Sequence, residues 1–176
     1  PPTTPKGWNE RYRSGDSPWD CRVESPELLR VLEERNLRSG RALELGCGAG
    51  TNAVALARRG FAVVGVDCAP LALEEARRRA GQAGVSVEFV EGDVCRLEGL
   101  GEGFDLIFDR GCYHCVRPTA LAGYLESIER NAGDDCLVLI LAGNADDPNP
   151  GGPPKVAAEQ IREELGRLGR IEHLRA

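Results

Sequence analysis

The chain has 176 residues, enough for one domain with a core that needs no covalent staples. Apolar residues make up 41% and charged residues 28%, as in an ordinary globule, and the net charge of −6 argues against a dedicated nucleic-acid binder, whose phosphate contacts need a basic surface. Arg supplies 20 of the 22 basic residues, and these are scattered among acids rather than gathered in a patch.

In chain order, residues 1–24 read as irregular and carry Trp8, Tyr12 and Trp19. Ser25-Pro26-Glu27 opens a helix, with Ser as cap, Pro at the first position and an acid in the first turn. Leu28, Leu29, Val31 and Leu32 give it one apolar face, and it ends near residues 36–40. Strands and helices then alternate: strand 41–45, helix 52–59, strand 61–66 closed by Asp67, and a helix from Pro70. Strand 85–90 leads into a turn at Glu91-Gly92-Asp93, and strands 104–108 and 136–141 flank a helix around 118–131. A loop at 143–154 and an amphipathic helix at 156–168 complete the pattern. Such alternation predicts an α/β fold, doubly wound around a mostly parallel sheet, in a single domain spanning 1–176. After the last helix, residues 170–176 leave room for one strand, so a C-terminal edge piece is expected to be missing.

The N-terminus has no secretory pattern, and the longest apolar run, 136–142, is far short of the ~20 residues that span a bilayer. No Met occurs, so residue 1 is read as a processed or artificial boundary. The seven Cys are odd in number and dispersed, which points to reduced thiols and a cytoplasmic location. A monomer is expected.

Between the first strand and its helix lies Glu44-Leu45-Gly46-Cys47-Gly48-Ala49-Gly50-Thr51. Glycines there let the backbone turn sharply and approach a ligand closely. A pyrophosphate binder has G-x-G-x-x-G, whereas here Thr51 stands where the third glycine belongs, which also disfavours a nicotinamide-dependent oxidoreductase. Asp67, Asp93 and Asp109 each end a successive strand and are expected to face the ligand crevice, Asp67 accepting from ribose hydroxyls and Asp93 from an adenine amino group. Taken singly, each reads equally well as a turn or helix cap.

These residues resemble the class I S-adenosylmethionine-dependent methyltransferases over about 26–176, which implies their Rossmann-like fold and S-adenosyl-L-methionine as cofactor. Trp8-Asn9-Glu10-Arg11-Tyr12, Gly15-Asp16-Ser17-Pro18-Trp19-Asp20, Asp109-Arg110-Gly111 and Gly152-Pro153-Pro154 are similar to the thiopurine, thiol and halide methyltransferases and their tellurite-resistance relatives. The resemblance divides the domain into an aromatic lid (1–24) and a core (25–176). It also implies cofactor contacts at Trp8, Tyr12, Trp19, Glu44, Gly46, Cys47, Gly48, Asp67, Cys68, Asp93, Val94 and Asp109, with Arg110 near the reacting end. Aromatic faces attract a sulfonium cation by ~0.5–2 kcal/mol. The plain alternative is that Trp8 and Trp19 fill a gap.

Cys112-Tyr113-His114-Cys115 follows the fourth strand. A zinc site needs a second ligand pair, and His173 stands alone, so no metal is expected and the cysteines read as pocket lining. His114 is a candidate general base, or else it caps the next helix or orients Asp109. The expected reaction is in-line methyl transfer to a small-molecule acceptor, foremost a thiol or other soft nucleophile. An N- or O-methyltransferase and a non-catalytic binding or scaffold protein are the alternatives. A nucleic-acid base methyltransferase is disfavoured, because Asp109-Arg110-Gly111-Cys112 lacks its Asn/Asp-Pro-Pro-aromatic run.

Overall fold

The computed structural model describes residues 2, 4–101 and 103–175. Among them, five strands form one parallel sheet: β1 (Gly40–Leu45), β2 (Phe61–Asp67), β3 (Glu88–Glu91), β4 (Phe104–Arg110) and β5 (Ala132–Leu141). Helices α1 (Pro5–Ser14), α2 (Pro26–Glu34), α3 (Thr51–Arg58), α4 (Pro70–Ala83), α5 (Tyr113–Asn131) and α6 (Ala158–Leu165) surround it. The spatial order is β3-β2-β1-β4-β5. Winding reverses between β1 and β4, and there such sheets open a crevice beyond the carboxyl ends of their strands.

Alternation along the strands sorts the core into two layers. Ala42, Val63, Leu106 and Phe108 meet Leu28 and Leu32 of α2, Leu56 of α3 and Leu73 of α4. Leu43, Leu45, Val66 and Ile107 meet Tyr113, Tyr124, Leu125 and Ile128 of α5 on the opposite face. This is the doubly wound α/β architecture that the sequence predicts.

Several stretches depart from that reading. Residues 1–24 are not irregular throughout, because α1 occupies Pro5–Ser14. Thr4 Oγ1 accepts from Gly7 N–H at 3.2 Å, Pro5 fixes the first φ, and Gly15 at φ 73° ends the helix. No residue of α1 is buried, so no apolar stripe announces it. β3 is shorter than 85–90, since Val85 and Val87 pack on the core ahead of the ladder. α5 begins at Tyr113, well before Pro118, and accommodates that proline with a kink at Ala120 (φ −144°, ψ 26°). Within 143–156, β6 (Gly143–Asn144) pairs in parallel with β7 (Lys155–Val156), and α6 gives way to a 3-10 turn, Gly166–Leu168. Residues 170–175 form no strand. No helix among the described residues is long and apolar enough to cross a membrane.

Candidate active site

Gly46, Gly48 and Gly50 leave the end of β1 with φ of 64°, 53° and 77°. A Cβ on Gly46 would sit 2.8 Å from Cys112 Cβ, and one on Gly48 would sit 2.7 Å from the Tyr12 hydroxyl, so conformation and crowding both demand glycine. From the end of β2, Asp67 braces this loop: Oδ2 accepts from Gly48 N–H at 2.8 Å and Oδ1 from Ala69 N–H at 2.9 Å. Burial pushes its carboxyl up from the ordinary range. The Cys47 thiol turns away from the crevice to pack against Gly65, and burial raises it well above normal. Beside Asp67, burial pushes the half-buried Cys68 up to about 12.

Glu44, buried near the end of β1, accepts from Asn52 Nδ2 at 3.2 Å through Oε1. Its other oxygen, Oε2, is buried and has no partner. Burial pushes this carboxyl up to about 8, and Asp109 and Asp67 add to the rise. A buried carboxylate with a spare oxygen is the complement of a cationic hydrogen-bond donor.

The three aromatic residues expected over the cofactor contact one another. Trp8 and Trp19 meet edge to face at 5.4 Å, and Tyr12 and Trp19 do so at 5.9 Å. Trp19 Nε1–H donates to the Tyr12 hydroxyl at 2.9 Å, and that hydroxyl lies over Gly48. Tyr12 is therefore the ring that reaches the glycine loop. Trp19 is 40% exposed, with the Arg11 guanidinium 4.9 Å from its centroid, so it buttresses Tyr12 and already holds a cation from the chain. Asp20 fastens the segment, accepting two bonds from Arg79 at 2.8 and 2.5 Å, while Arg79 also reaches Thr51 and Glu75. Asn9 Oδ1 accepts from Leu71 N–H at 2.9 Å.

The residues after β4 require corrections. Asp109 does not face the crevice. It is fully buried, Oδ1 accepts from Cys112 N–H at 2.8 Å, and Oδ2 accepts from Tyr113 N–H at 2.8 Å and the Tyr124 hydroxyl at 2.6 Å. It caps α5, and burial pushes it up to about 6. Arg110 is exposed and donates to the Val23 carbonyl at 3.2 Å, tying down the lid segment rather than entering the site. His114 is buried, and its Nδ1 accepts from Gly143 N–H at 3.1 Å. The remaining nitrogen, Nε2, then carries the proton in the neutral ring, which burial favours by lowering the pKa. In this arrangement His114 offers no free lone pair for a substrate proton, and its bond runs to Gly143 rather than to Asp109. Cys112 lines the loop at Gly46, and the Cys115 thiol donates to the Gly111 carbonyl at 3.3 Å. At the end of β3, Asp93 Oδ1 accepts from Cys95 N–H at 2.9 Å, leaving Oδ2 at the surface 3.9 Å from Arg96, and Val94 is buried in the core.

A family model described as "Methyltransferase domain" matches residues 42–133, from β1 into β5. The chain belongs to this methyltransferase family. The methyltransferase is 31% identical over 160 residues to the 2-heptyl-1-hydroxyquinolin-4(1H)-one methyltransferase of Mycobacteroides abscessus, across 89% of this chain and 70% of that one. It is 30% identical over 165 residues to thiocyanate methyltransferase 1 of Brassica oleracea, across 93% and 73%. A solved structure described as "Conversion of a Disulfide Bond into a Thioacetal Group during Echinomycin Biosynthesis" matches with a TM-score of 0.77 at 28% identity, covering 91% of this chain and 77% of that one. The 1,6-didemethyltoxoflavin-N1-methyltransferase of Burkholderia thailandensis shares the fold, with a TM-score of 0.76 at 24% identity over 93% and 75%.

The methyltransferase is thus an enzyme, and S-adenosylmethionine is its cofactor, as the sequence implied. Its residues fit that cation on their own evidence: an orphaned buried oxygen at Glu44, a glycine loop in the left-handed region at the end of β1, and further acids at Asp67 and Asp93. Asn52, absent from the sequence-based site, holds Glu44 in place. Its position on the inner face of α3, after the glycine loop, was the available signal.

Proposed function

We propose that this enzyme methylates small molecules bearing a thiol or another soft nucleophile. The observation that carries this reading is the state of His114: its Nδ1 is taken by Gly143 N–H, so the imidazole presented after β4 is a donor and accepts no proton. Asp109, the carboxyl at the end of that strand, is sealed by three donors of its own chain. An acceptor that must shed a proton with help finds none from either group. A thiol, with pKa near 8.5, supplies some thiolate unaided.

S-adenosylmethionine held there would supply an electrophilic sulfonium methyl, with its own sulfur as the leaving group. The chain's task is to hold and exclude. Glu44 is assigned to the ammonium group, Asp67 to the ribose hydroxyls through the lone pairs left by Gly48 and Ala69, and Asp93 Oδ2 to the adenine amino group. Tyr12, braced by Trp19, closes over the glycine loop and keeps water out. Fixing both reactants in near-attack geometry is worth up to ~7–11 kcal/mol. The thiocyanate methyltransferase relative supports a sulfur acceptor. The relative named for a hydroxyquinolinone favours a second reading, O-methylation of an acidic hydroxyl.

Mass spectrometry of S-adenosylhomocysteine formed with a panel of thiols, sulfide, hydroxyquinolones, phenols and amines separates the two. Turnover with thiols or sulfide is the expected result. Turnover confined to hydroxyquinolones or phenols overturns the sulfur assignment and leaves the O-methylation reading.

A further inference from the structure

The buried network behind the glycine loop has a member that cannot touch a ligand. Asn52 lies on α3 and is almost wholly buried. Its Oδ1 accepts from Ser25 N–H at 2.9 Å, at the point where the lid segment joins α2. That bond fixes the amide's orientation: the oxygen must face Ser25, so the NH2 must face Glu44. The NH2 donates to Glu44 Oε1 at 3.2 Å, leaving Oε2 as the oxygen without a partner.

The geometry points to Asn52 as a positioning residue that aims Glu44 at the cofactor's ammonium group and eases its ionisation, so that binding of the amino-acid end expels a proton from Glu44. The inference rests on the assignment of Glu44 to that ammonium. The groups facing Glu44 make the coupling necessary. Asp67 from β2 and Asp109 from β4 are acids, the Cys47 thiol of the glycine loop is neutral, and the favourable contacts are donors from α3, the Asn52 amide and Ala53 N–H. Among the described residues, no cation is a main influence on this carboxyl, and burial pushes it up to about 8, which favours the protonated form in the free protein. An ammonium at Oε2 favours the ionised form and releases the proton. Losing the Asn52 N–H raises the group further, so each unit of rise weakens ammonium binding tenfold at pH 7, and the defect fades as pH approaches the new value.

Calorimetry with two probes tests this. S-adenosylhomocysteine carries the ammonium, and 5′-methylthioadenosine presents the same nucleoside thioether without it. In the wild type, affinity for S-adenosylhomocysteine should climb between about pH 6 and 8.5 with proton release detectable across buffers of different ionisation enthalpy, while methylthioadenosine binding stays flat. Asn52→Leu and Asn52→Ala should weaken S-adenosylhomocysteine roughly 10-fold at pH 7, shift its profile up by about one unit, and leave methylthioadenosine within twofold. Equal losses for both probes, or a weakened profile of unchanged shape, would overturn the role of Asn52 and leave it a packing residue. Glu44→Gln guards the underlying assignment. It should abolish the proton release and the preference for S-adenosylhomocysteine, and an intact preference would remove Glu44 from the ammonium site regardless of Asn52.

Discussion

On the core side of the crevice, Glu44 and Asp109 are 2% and 0% exposed and held by donors within 3.2 Å, with Asp67 braced in the same way. The lid side is held by polar tethers near the surface: Asn9 to Leu71, Asp20 to Arg79, Glu24 to Arg59, and Val23 to Arg110. Burying acids costs stability, and all three carboxyls are raised by burial. The fold offsets that cost with donors from its own chain, whereas the N-terminal segment is attached by separate polar contacts.

Breaking the core side should have the largest effect. Asp109→Ala strands the Tyr124 hydroxyl and two α5 N–H groups inside the protein, and should cost about 3 kcal/mol or more of unfolding free energy, read as a lower midpoint in urea. A loss below about 1 kcal/mol would mean that α5 is capped by other means. Cutting the lid's most buried tether should do less to the fold and more to the cover. Arg79→Ala should cost about 1–2 kcal/mol, yet trypsin should cleave within α1, at Arg11 or Arg13, roughly tenfold faster. Unchanged cleavage would show that the aromatic contacts alone hold the segment. The smallest change is expected at His114. His114→Gln should leave kcat within about threefold, since the ring offers no free base, whereas a ~100-fold fall would restore it to the proton-transfer step.

The difference between the two sides also governs what the sequence could disclose. Alternation and turn residues located all five strands, because β2, β4 and β5 are apolar over most of their length and a glycine or acid lies at or within two residues of each strand's end. α1 escaped because its signals are only caps, Thr4-Pro5 and Gly15, with no apolar stripe between them. Asp109 was assigned to the crevice from its place at a strand end, although parity carried the correction. Leu106 and Phe108 face the α2–α3–α4 layer, so Asp109, one residue on, turns with Ile107 toward α5. The spare oxygen of Glu44 and the tautomer of His114 depend on partners far away in sequence, Asn52 and Gly143, and no local pattern encodes them.

The acids around the glycine loop also govern the sulfurs beside it. Cys47 is raised by burial and by Glu44 and Asp67, Cys68 by burial and by Asp67, and Cys112 by burial and by Asp109. All three stay thiols at neutral pH, and a thiol is a poor nucleophile beside its thiolate. Burial and neighbouring acids thus hold the sulfurs around the glycine loop in their less nucleophilic form.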